Sequence, residues 1–174
     1  MKNRAFTLIE LLVVVLIIGI LAAIAVPQYQ LAVVKAGYAK LKPLVKAIAQ
    51  AEEEYFLATG EYTENIESLS LSWPENYIEK DCGEGGCDYT FDWGYCSLNH
   101  SGNSPRVVCE NSNANIRYRQ ILSNAEEYAG KQACTAYQKH ANSIKVCQSE
   151  TGKKEPDSSW YAPDISSTHE VYYY

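Results

Sequence analysis

The sequence predicts an α+β fold in which one long N-terminal α-helix packs on a small antiparallel β-sheet, with loops stapled by disulfides. An apolar run over Leu11–Val26 continues into residues at helical spacing, which indicates the helix. Alternating aromatic residues after residue 88 indicate strands, and six cysteines in the second half of the 174-residue chain indicate disulfides. The length fits one globular domain over 59–174 with an appendage over 1–58.

The apolar segment is long enough to cross a membrane. Phe6–Val26 would span about 32 Å as an α-helix, close to the thickness of a bilayer's hydrocarbon core. A secretory signal peptide is the alternative, because Lys2 and Arg4 form a positive start and Ala23–Ala25 offers a cleavage site. Two features argue against it: the apolar run exceeds the usual length, and Glu10 lies inside it.

Glu10 is an ionisable residue in an otherwise apolar helix, and such residues generally have a partner. No Lys, Arg or His lies between Phe6 and Gln28. Apart from Lys2 and Arg4, one turn or more upstream, a partner comes only from a neighbouring chain or a newly made amino terminus. This requirement indicates assembly or processing.

A family resemblance rests on the same residues. Ala5–Val15 (AFTLIELLVVV), after a short basic leader and before Gly19, Pro27 and Tyr29, closely resembles the N-terminus of type IV prepilins and of the related pseudopilins of type II secretion. The resemblance covers the first 60 residues well and the remainder loosely. It implies a pilin that functions by polymerisation into a filament.

The resemblance also implies how the N-terminus is processed. Prepilin peptidase would remove the leader 1–5 by cleaving between Ala5 and Phe6, and the new Phe6 amine would be N-methylated. Glu10 would then pair with the Phe6 amine of an adjacent subunit. The family usually has Gly before the cleaved bond, so Ala5 predicts slower cleavage.

Localisation and partners follow from the same resemblance. The partners it implies are copies of the chain, prepilin peptidase, an inner-membrane assembly platform and, before assembly, membrane lipid. Charge alone leaves the orientation open, because Lys2 and Arg4 on one side oppose four lysines over 35–46 on the other. The cysteine-rich domain, together with the resemblance, favours a periplasmic head with a cytoplasmic N-terminus. The resemblance further implies an extracellular filament after assembly.

The helix is predicted over 6–58, with its membrane-spanning part over 6–27. Beyond the span, a narrow apolar stripe recurs at helical spacing: Leu31, Val34, Tyr38, Leu41, Val45 and Ile48. We interpret the stripe as the spine on which the sheet packs, with a seam to other subunits as the alternative. Pro27 and Pro43 favour bends, and Gly19 with Pro27 brackets a stretch where the helix is weakened.

The head is predicted to be an antiparallel meander of three or four strands. Gly60 suits the end of the helix, and strand-like runs follow at Asp88–Leu98, Pro105–Glu110 and Asn115–Leu122. The aromatic C-terminus, Glu170–Tyr174, is predicted to be an edge strand or lid rather than an exposed adhesive surface.

Six cysteines allow fifteen pairings, and the sequence does not choose among them. We favour neighbour pairing: Cys82 with Cys87, Cys96 with Cys109, and Cys134 with Cys147. The last pair resembles the loop closed by a terminal disulfide in many pilins. A zinc site formed by the first four cysteines is the alternative, but their spacing lacks the paired C-x2-C pattern and thiolates need a reducing compartment.

No metal, cofactor or catalytic residue is expected. Asp81, Glu84, Asp88 and Asp92 could coordinate calcium, but they lack EF-hand spacing, and we interpret them as a solvated acidic loop. Motifs for nucleophilic, zinc-protease and phosphate chemistry do not occur. With 15 basic against 21 acidic residues, a net charge of −6, we also expect no nucleic-acid partner.

Opposite charges lie end to end along the chain. Residues 28–46 carry four lysines and no acid, whereas 47–104 carry one base and twelve acids. We hypothesise that Lys35, Lys40 and Lys42 face an acidic surface of another subunit. Two further functions stay open at this point: a pseudopilin of a secretion system, and a signal-anchored binding domain that does not polymerise.

Overall fold

A single antiparallel sheet of seven strands, arranged in chain order, forms the body of the head. The computed structural model describes residues 7–72, 76–83, 86–100, 104–157 and 169–174. The helices are α1 (Leu8–Thr59) and α2 (Ala141–Thr151), with a short 3₁₀ turn at Ile66–Ser68. The strands are β1 (Glu79–Gly83), β2 (Gly86–Phe91), β3 (Gly94–Asn99), β4 (Arg106–Asn111), β5 (Ile116–Ile121), β6 (Gln132–Tyr137) and β7 (His169–Tyr173).

The predicted fold class is confirmed, but the predicted number of strands is wrong. The run Asp88–Leu98 forms two strands, because the chain turns at Asp92 and Trp93 and pairs Phe91 with Gly94. The aromatic alternation continues through this turn and conceals it. Gly94 has a φ of +154°, and a Cβ there would lie 1.9 Å from the carbonyl oxygen of Glu110, so only glycine fits.

The apolar stripe of α1 is the spine of the head, as predicted. Tyr38, Leu41, Val45 and Ile48 are each at most 1% exposed and join the core that α1 forms with the sheet. Full burial of each such side chain contributes about 1.5–3 kcal/mol to folding. The head end of α1 is therefore fixed on the sheet. It terminates at Gly60, which adopts the left-handed conformation and donates its N–H to the Phe56 carbonyl.

Three disulfides join neighbouring elements of the head, in the pairing favoured from the sequence. They are Cys82–Cys87 between β1 and β2, Cys96–Cys109 between β3 and β4, and Cys134–Cys147 between β6 and α2. The two thirteen-residue separations each restrict the unfolded chain by about 3 kcal/mol in the chain-entropy model. Because the first four cysteines are paired, they do not form the alternative zinc site.

The C-terminus is an edge strand, as predicted, and it connects the sheet to both helices. In β7, Val171, Tyr172 and Tyr173 are buried. The hydroxyl of Tyr174 lies 2.9 Å from that of Tyr38, and burial together with this contact raises the pKa of Tyr38. The chain end therefore packs on the spine of the head.

Lys42 corrects one sequence-based hypothesis. Its ammonium group forms an ion pair with Glu150 on α2 and lies 5.1 Å from the centre of the Tyr174 ring. Although partial burial opposes the charged form, the contacts with Glu150 and Tyr174 raise the pKa of Lys42. Lys42 is therefore engaged within its own chain, so it does not share the role proposed for Lys35 and Lys40.

A buried carboxylate on α1 holds the connection between helix and sheet. Glu52 is fully buried, and its Oε2 accepts the backbone N–H of Thr63 at 3.1 Å. Its Oε1 lies 3.6 Å from Nε2 of His100, which is also 2.8 Å from the Thr63 carbonyl oxygen. Glu52 thus ties α1 to the loop that follows it and to the end of β3.

Replacing this carboxylate is expected to destabilise the head. In Glu52→Ala the Thr63 N–H stays buried without its acceptor, which costs about 1–3 kcal/mol. Glu54→Ala, two residues away on the exposed side, is the matched control and is expected to change stability by less than about 0.5 kcal/mol. Urea unfolding of the full chain in detergent, followed by near-ultraviolet circular dichroism, measures both, and equal losses would contradict this role.

Asp157 protects the outer edge of β7. Its N–H donates to the Val171 carbonyl at 2.8 Å, and its carboxylate accepts the Tyr173 N–H at 2.9 Å and the Lys153 ammonium at 2.6 Å. Burial works against ionisation, but the Lys153 and Tyr173 contacts outweigh it and lower the pKa of Asp157. The exposed edge of the sheet is thereby partly capped.

The lowered pKa of Asp157 predicts a pH-dependent stabilisation. For a carboxyl whose pKa is lower when folded, the stabilisation is fully present above the usual aspartate pKa of about 3.9 and is lost as the pH falls through the folded value. The difference in unfolding free energy between the wild type and Asp157→Asn should therefore be constant from pH 7 to about pH 5 and shrink below about pH 4. A difference that does not change with pH would contradict this assignment.

Candidate functional site

The first part of α1 projects from the head as an uncovered apolar helix. The large hydrophobic residues between Leu8 and Val26 are all between 48% and 78% exposed. By length and composition alone, α1 is apolar enough to cross a membrane, a test that N-terminal signal sequences also pass. This surface needs a covering of lipid or protein, because exposed apolar patches of this size mark interaction sites.

The single charged residue of this projecting segment is held in a capping box. Thr7 donates its N–H to Oε2 of Glu10 at 2.9 Å and its hydroxyl to the same oxygen at 2.6 Å. Glu10 in turn donates its N–H to the Thr7 hydroxyl at 3.3 Å. Thr7 was not predicted from the sequence, although a Thr three residues before a Glu at the start of an apolar run is the capping-box pattern.

One carboxylate oxygen of Glu10 is left over. Both hydrogen bonds from Thr7 fall on Oε2, and Oε1 accepts none from the residues that the structure describes. Like the rest of the segment, Glu10 is exposed. The cap therefore orients the carboxylate and leaves an oxygen that can accept a further donor.

The other predicted site residues fall into two groups. Ala5 and Phe6, with the leader, lie outside the described residues. Gly19, Pro27 and Pro43 lie within α1, whose helical assignment continues through all three positions. The bends predicted there stay predictions. A Cβ at Gly19 would meet nothing within 4 Å, so no packing inside the described chain requires glycine at this position.

A second feature, missed from the sequence, is the outer face of α1 alongside the head. Ala32, Ala36, Ala39 and Pro43 lie on the side of α1 roughly opposite the centre of the buried stripe and are exposed. Val33, between them, is 51% exposed. Solvent-facing helix positions normally carry polar side chains. The small apolar face instead permits close approach of another helix.

The residues considered for metal binding do not form a described site. Asp81 and Asp88 face each other across the β1–β2 pair, Asp92 lies in the following turn, and Glu84 lies outside the described residues. Within the described ranges no three potential ligands among His, Cys, Asp and Glu come together. The assembly features above are therefore the strongest candidate site.

Comparisons with known proteins point to the same region. A family model described as the prokaryotic N-terminal methylation motif matches residues 1–26. The type IV major pilin PilE1 of Neisseria gonorrhoeae is 38% identical over 77 residues, which cover 44% of this chain and 47% of that pilin. The type IV major pilin PilA of Myxococcus xanthus is 41% identical over 71 residues, 41% of this chain and 32% of that pilin. The matches thus span about half or less of these two relatives.

A third relative aligns over most of its length. A fimbrial protein of Pseudomonas aeruginosa is 30% identical over 149 residues, which cover 84% of this chain and 85% of the relative. No solved structure matches the chain significantly. The extent of the Pseudomonas match, together with the methylation motif, shows that the chain belongs to the type IV pilin family.

Proposed function

We propose that the chain is a structural subunit of a type IV pilus, which polymerises through its N-terminal helix after residues 1–5 have been removed. The observation that carries this proposal is Glu10, a lone carboxylate in an exposed apolar helix, with one oxygen held by its own Thr7 and the other unused by the described residues. The second oxygen of the Glu10 carboxylate therefore needs a cationic partner from outside the described part of the chain.

The exposed apolar surface of the helix supports polymerisation, because it has to be covered by lipid in the precursor and by other subunits in a filament. In the precursor, lipid covers Leu8–Val26, which has the length of a membrane span. In a filament, helices of other copies replace the lipid. The small outer face formed by Ala32, Ala36, Ala39 and Pro43 extends this contact surface beyond the membrane segment into the level of the head. The helix therefore serves as anchor first and as filament core afterwards.

The amine released at Phe6 is the cation that best fits Glu10. In a medium of low dielectric constant a carboxylate and an ammonium group attract strongly, and removing one partner of a buried pair costs about 3–5 kcal/mol. Because Glu10 lies one helical turn beyond the cleavage position, a pair between adjacent copies sets their offset along the filament. A copy out of register would leave both charges unpaired.

A pilus subunit is supported over the two alternatives. The relatives that match are named major pilins and fimbrial proteins, which favours a pilin over a secretion pseudopilin. The methylation motif at residues 1–26 also favours an assembling subunit over a signal-anchored domain, because it matches the N-terminal processing that the resemblance to type IV prepilins implies. In the proposed function, the groups that drive assembly therefore lie on the N-terminal helix.

The compartments follow from the helix and the disulfides. The precursor spans the inner membrane with its N-terminus in the cytoplasm, where prepilin peptidase cleaves it, and an assembly platform in that membrane inserts it into the filament. The head lies in the periplasm and later outside the cell. Three disulfides support this orientation, because such bonds persist in oxidising compartments.

Processing is tested on subunits recovered from sheared filaments. Intact mass and N-terminal sequencing are expected to give a chain that starts at N-methylated Phe6. Ala5→Gly restores the residue usual in the family, so precursor should be processed faster in a pulse-chase experiment. A chain that starts at Val26 would mean signal-peptide cleavage and would contradict the proposal.

The Glu10 pair is tested by removing its charge with little change of shape. Glu10→Gln is expected to lower filament yield by about a hundredfold or more, since the Phe6 amine then lacks its counter-ion. Thr7→Val is the matched control, because it removes the capping hydroxyl but keeps the charge, and its effect should be much smaller. Precursor in the membrane fraction should be equal in all strains, and wild-type filament yield from Glu10→Gln would refute the pair.

A further inference from the structure

Exposed charges of opposite sign lie in succession along the head, first on α1 and then around its C-terminal end and the loop that follows. Lys35, Lys40 and Lys46 are exposed, and no acidic residue occurs over 28–46; we refer to these three residues as the lysine segment. Residues 47–67 carry six acids and no base. Four of these acids are exposed. Glu67 accepts a hydrogen bond from the Tyr77 hydroxyl, and we refer to the other three, Glu54, Glu61 and Glu64, as the acidic segment.

Within the part of the chain that the structure describes, neither segment is neutralised by an ion pair. The other charges of α1 have partners in the same chain: Lys42 with Glu150, Glu52 with Thr63, and Glu53 with Ser123. By contrast, none of the six residues of the two segments forms a salt bridge with another residue that the structure describes. Among the described residues, the two segments are therefore charged surfaces without an ion-pair partner.

Distance explains why they cannot neutralise each other. Lys40 and Glu54 are fourteen residues apart on one continuous helix, a rise of about 21 Å. In physiological salt, the interaction between two exposed charges is largely screened when they are more than about 8 Å apart. The positive and negative surfaces of one subunit are thus independent of each other, but they come to the same height in two copies displaced along the helix axis.

Two apolar features of the head accompany the two charged segments, one at each segment. Leu57, within the acidic segment, is 84% exposed. At the level of the lysine segment a groove of about 520 Å³ opens between α1 and the sheet. It is lined by Leu41, Leu44 and Trp93, and its two charged residues are Lys40 and Asp92. An exposed apolar knob with acids and an apolar groove with a lysine therefore lie at opposite ends of the head helix.

We propose that the acidic segment of one subunit docks on the lysine segment of a second copy displaced by about 20–30 Å along the axis, with Leu57 directed towards the groove. The occupant of this surface is a second copy of the same chain, and the inference rests on the proposed polymerisation. A contact between two different patches of identical subunits is heterologous, and it repeats without closing. Such a contact extends a filament and gives the growing polymer a direction.

Charge reversal with rescue tests the docking in a strain that assembles full-length subunits. Reversing the lysine segment to Glu, or the acidic segment to Lys, is expected to lower filament yield by about tenfold, because like charges then oppose each other. Combining both reversals in one chain should restore the yield to within about twofold of wild type. Reversing Lys139, Lys145 and Lys154, which are exposed elsewhere on the head, is the matched control and should leave the yield unchanged.

Zero-length cross-linking of wild-type filaments provides a readout that does not depend on any variant. A carbodiimide should join Lys35 or Lys40 to Glu54, Glu61 or Glu64, and peptide mass spectrometry identifies the pairs. Because these groups are too far apart within one chain, such links report contacts between copies. Absence of these links, or failure of the double reversal to restore yield, would overturn the docking.

The outcomes separate this inference from the proposed function. If Glu10→Gln abolishes filaments while each reversal leaves the yield at the wild-type level, the docking is wrong and the pilin function stands. If Glu10→Gln leaves the yield unchanged, the assembly mechanism itself fails, whatever the reversals do. Equal precursor levels and intact disulfides on non-reducing gels show that each variant is folded.

Discussion

A carboxylate within an apolar helix constrains everything else in this subunit. An unpaired charge in hydrocarbon costs several kcal/mol, so Glu10 needs partners in every state of the chain. Before assembly, the cap from Thr7 satisfies one of its oxygens and orients the group. After assembly, the account assigns the second oxygen to the amine of another copy. In the proposed mechanism the same residue is tolerated in the membrane and sets the register of subunits in the filament.

The head holds the second half of the helix rigidly. The stripe from Tyr38 to Ile48 is buried against the sheet, and the C-terminal Tyr174 packs onto the same helix. Disulfides join β1 to β2, β3 to β4, and β6 to α2, which limits unfolding of the head. Forces on the head are thereby passed directly to the second half of α1.

Local patterns in the sequence predicted the features that depend on neighbouring residues. Such patterns predicted the apolar run with Glu10, the stripe on α1 and the edge strand at the C-terminus. The role of Glu52, by contrast, depends on Thr63 and His100, which only the fold brings to it. The partner of Lys42 is 108 residues away in the chain. Long-range pairings of this kind, like the turn within Asp88–Leu98, carry no periodic signal.

The most direct test of the central claim is the distance between Glu10 and the amino termini in an assembled filament. A cryo-electron microscopy map of the filament at side-chain resolution measures it for every copy. The account predicts the carboxylate of Glu10 within about 4 Å of the Phe6 nitrogen of a neighbouring subunit. A carboxylate bonded only to its own Thr7, with no amine of another copy within that distance, would contradict it.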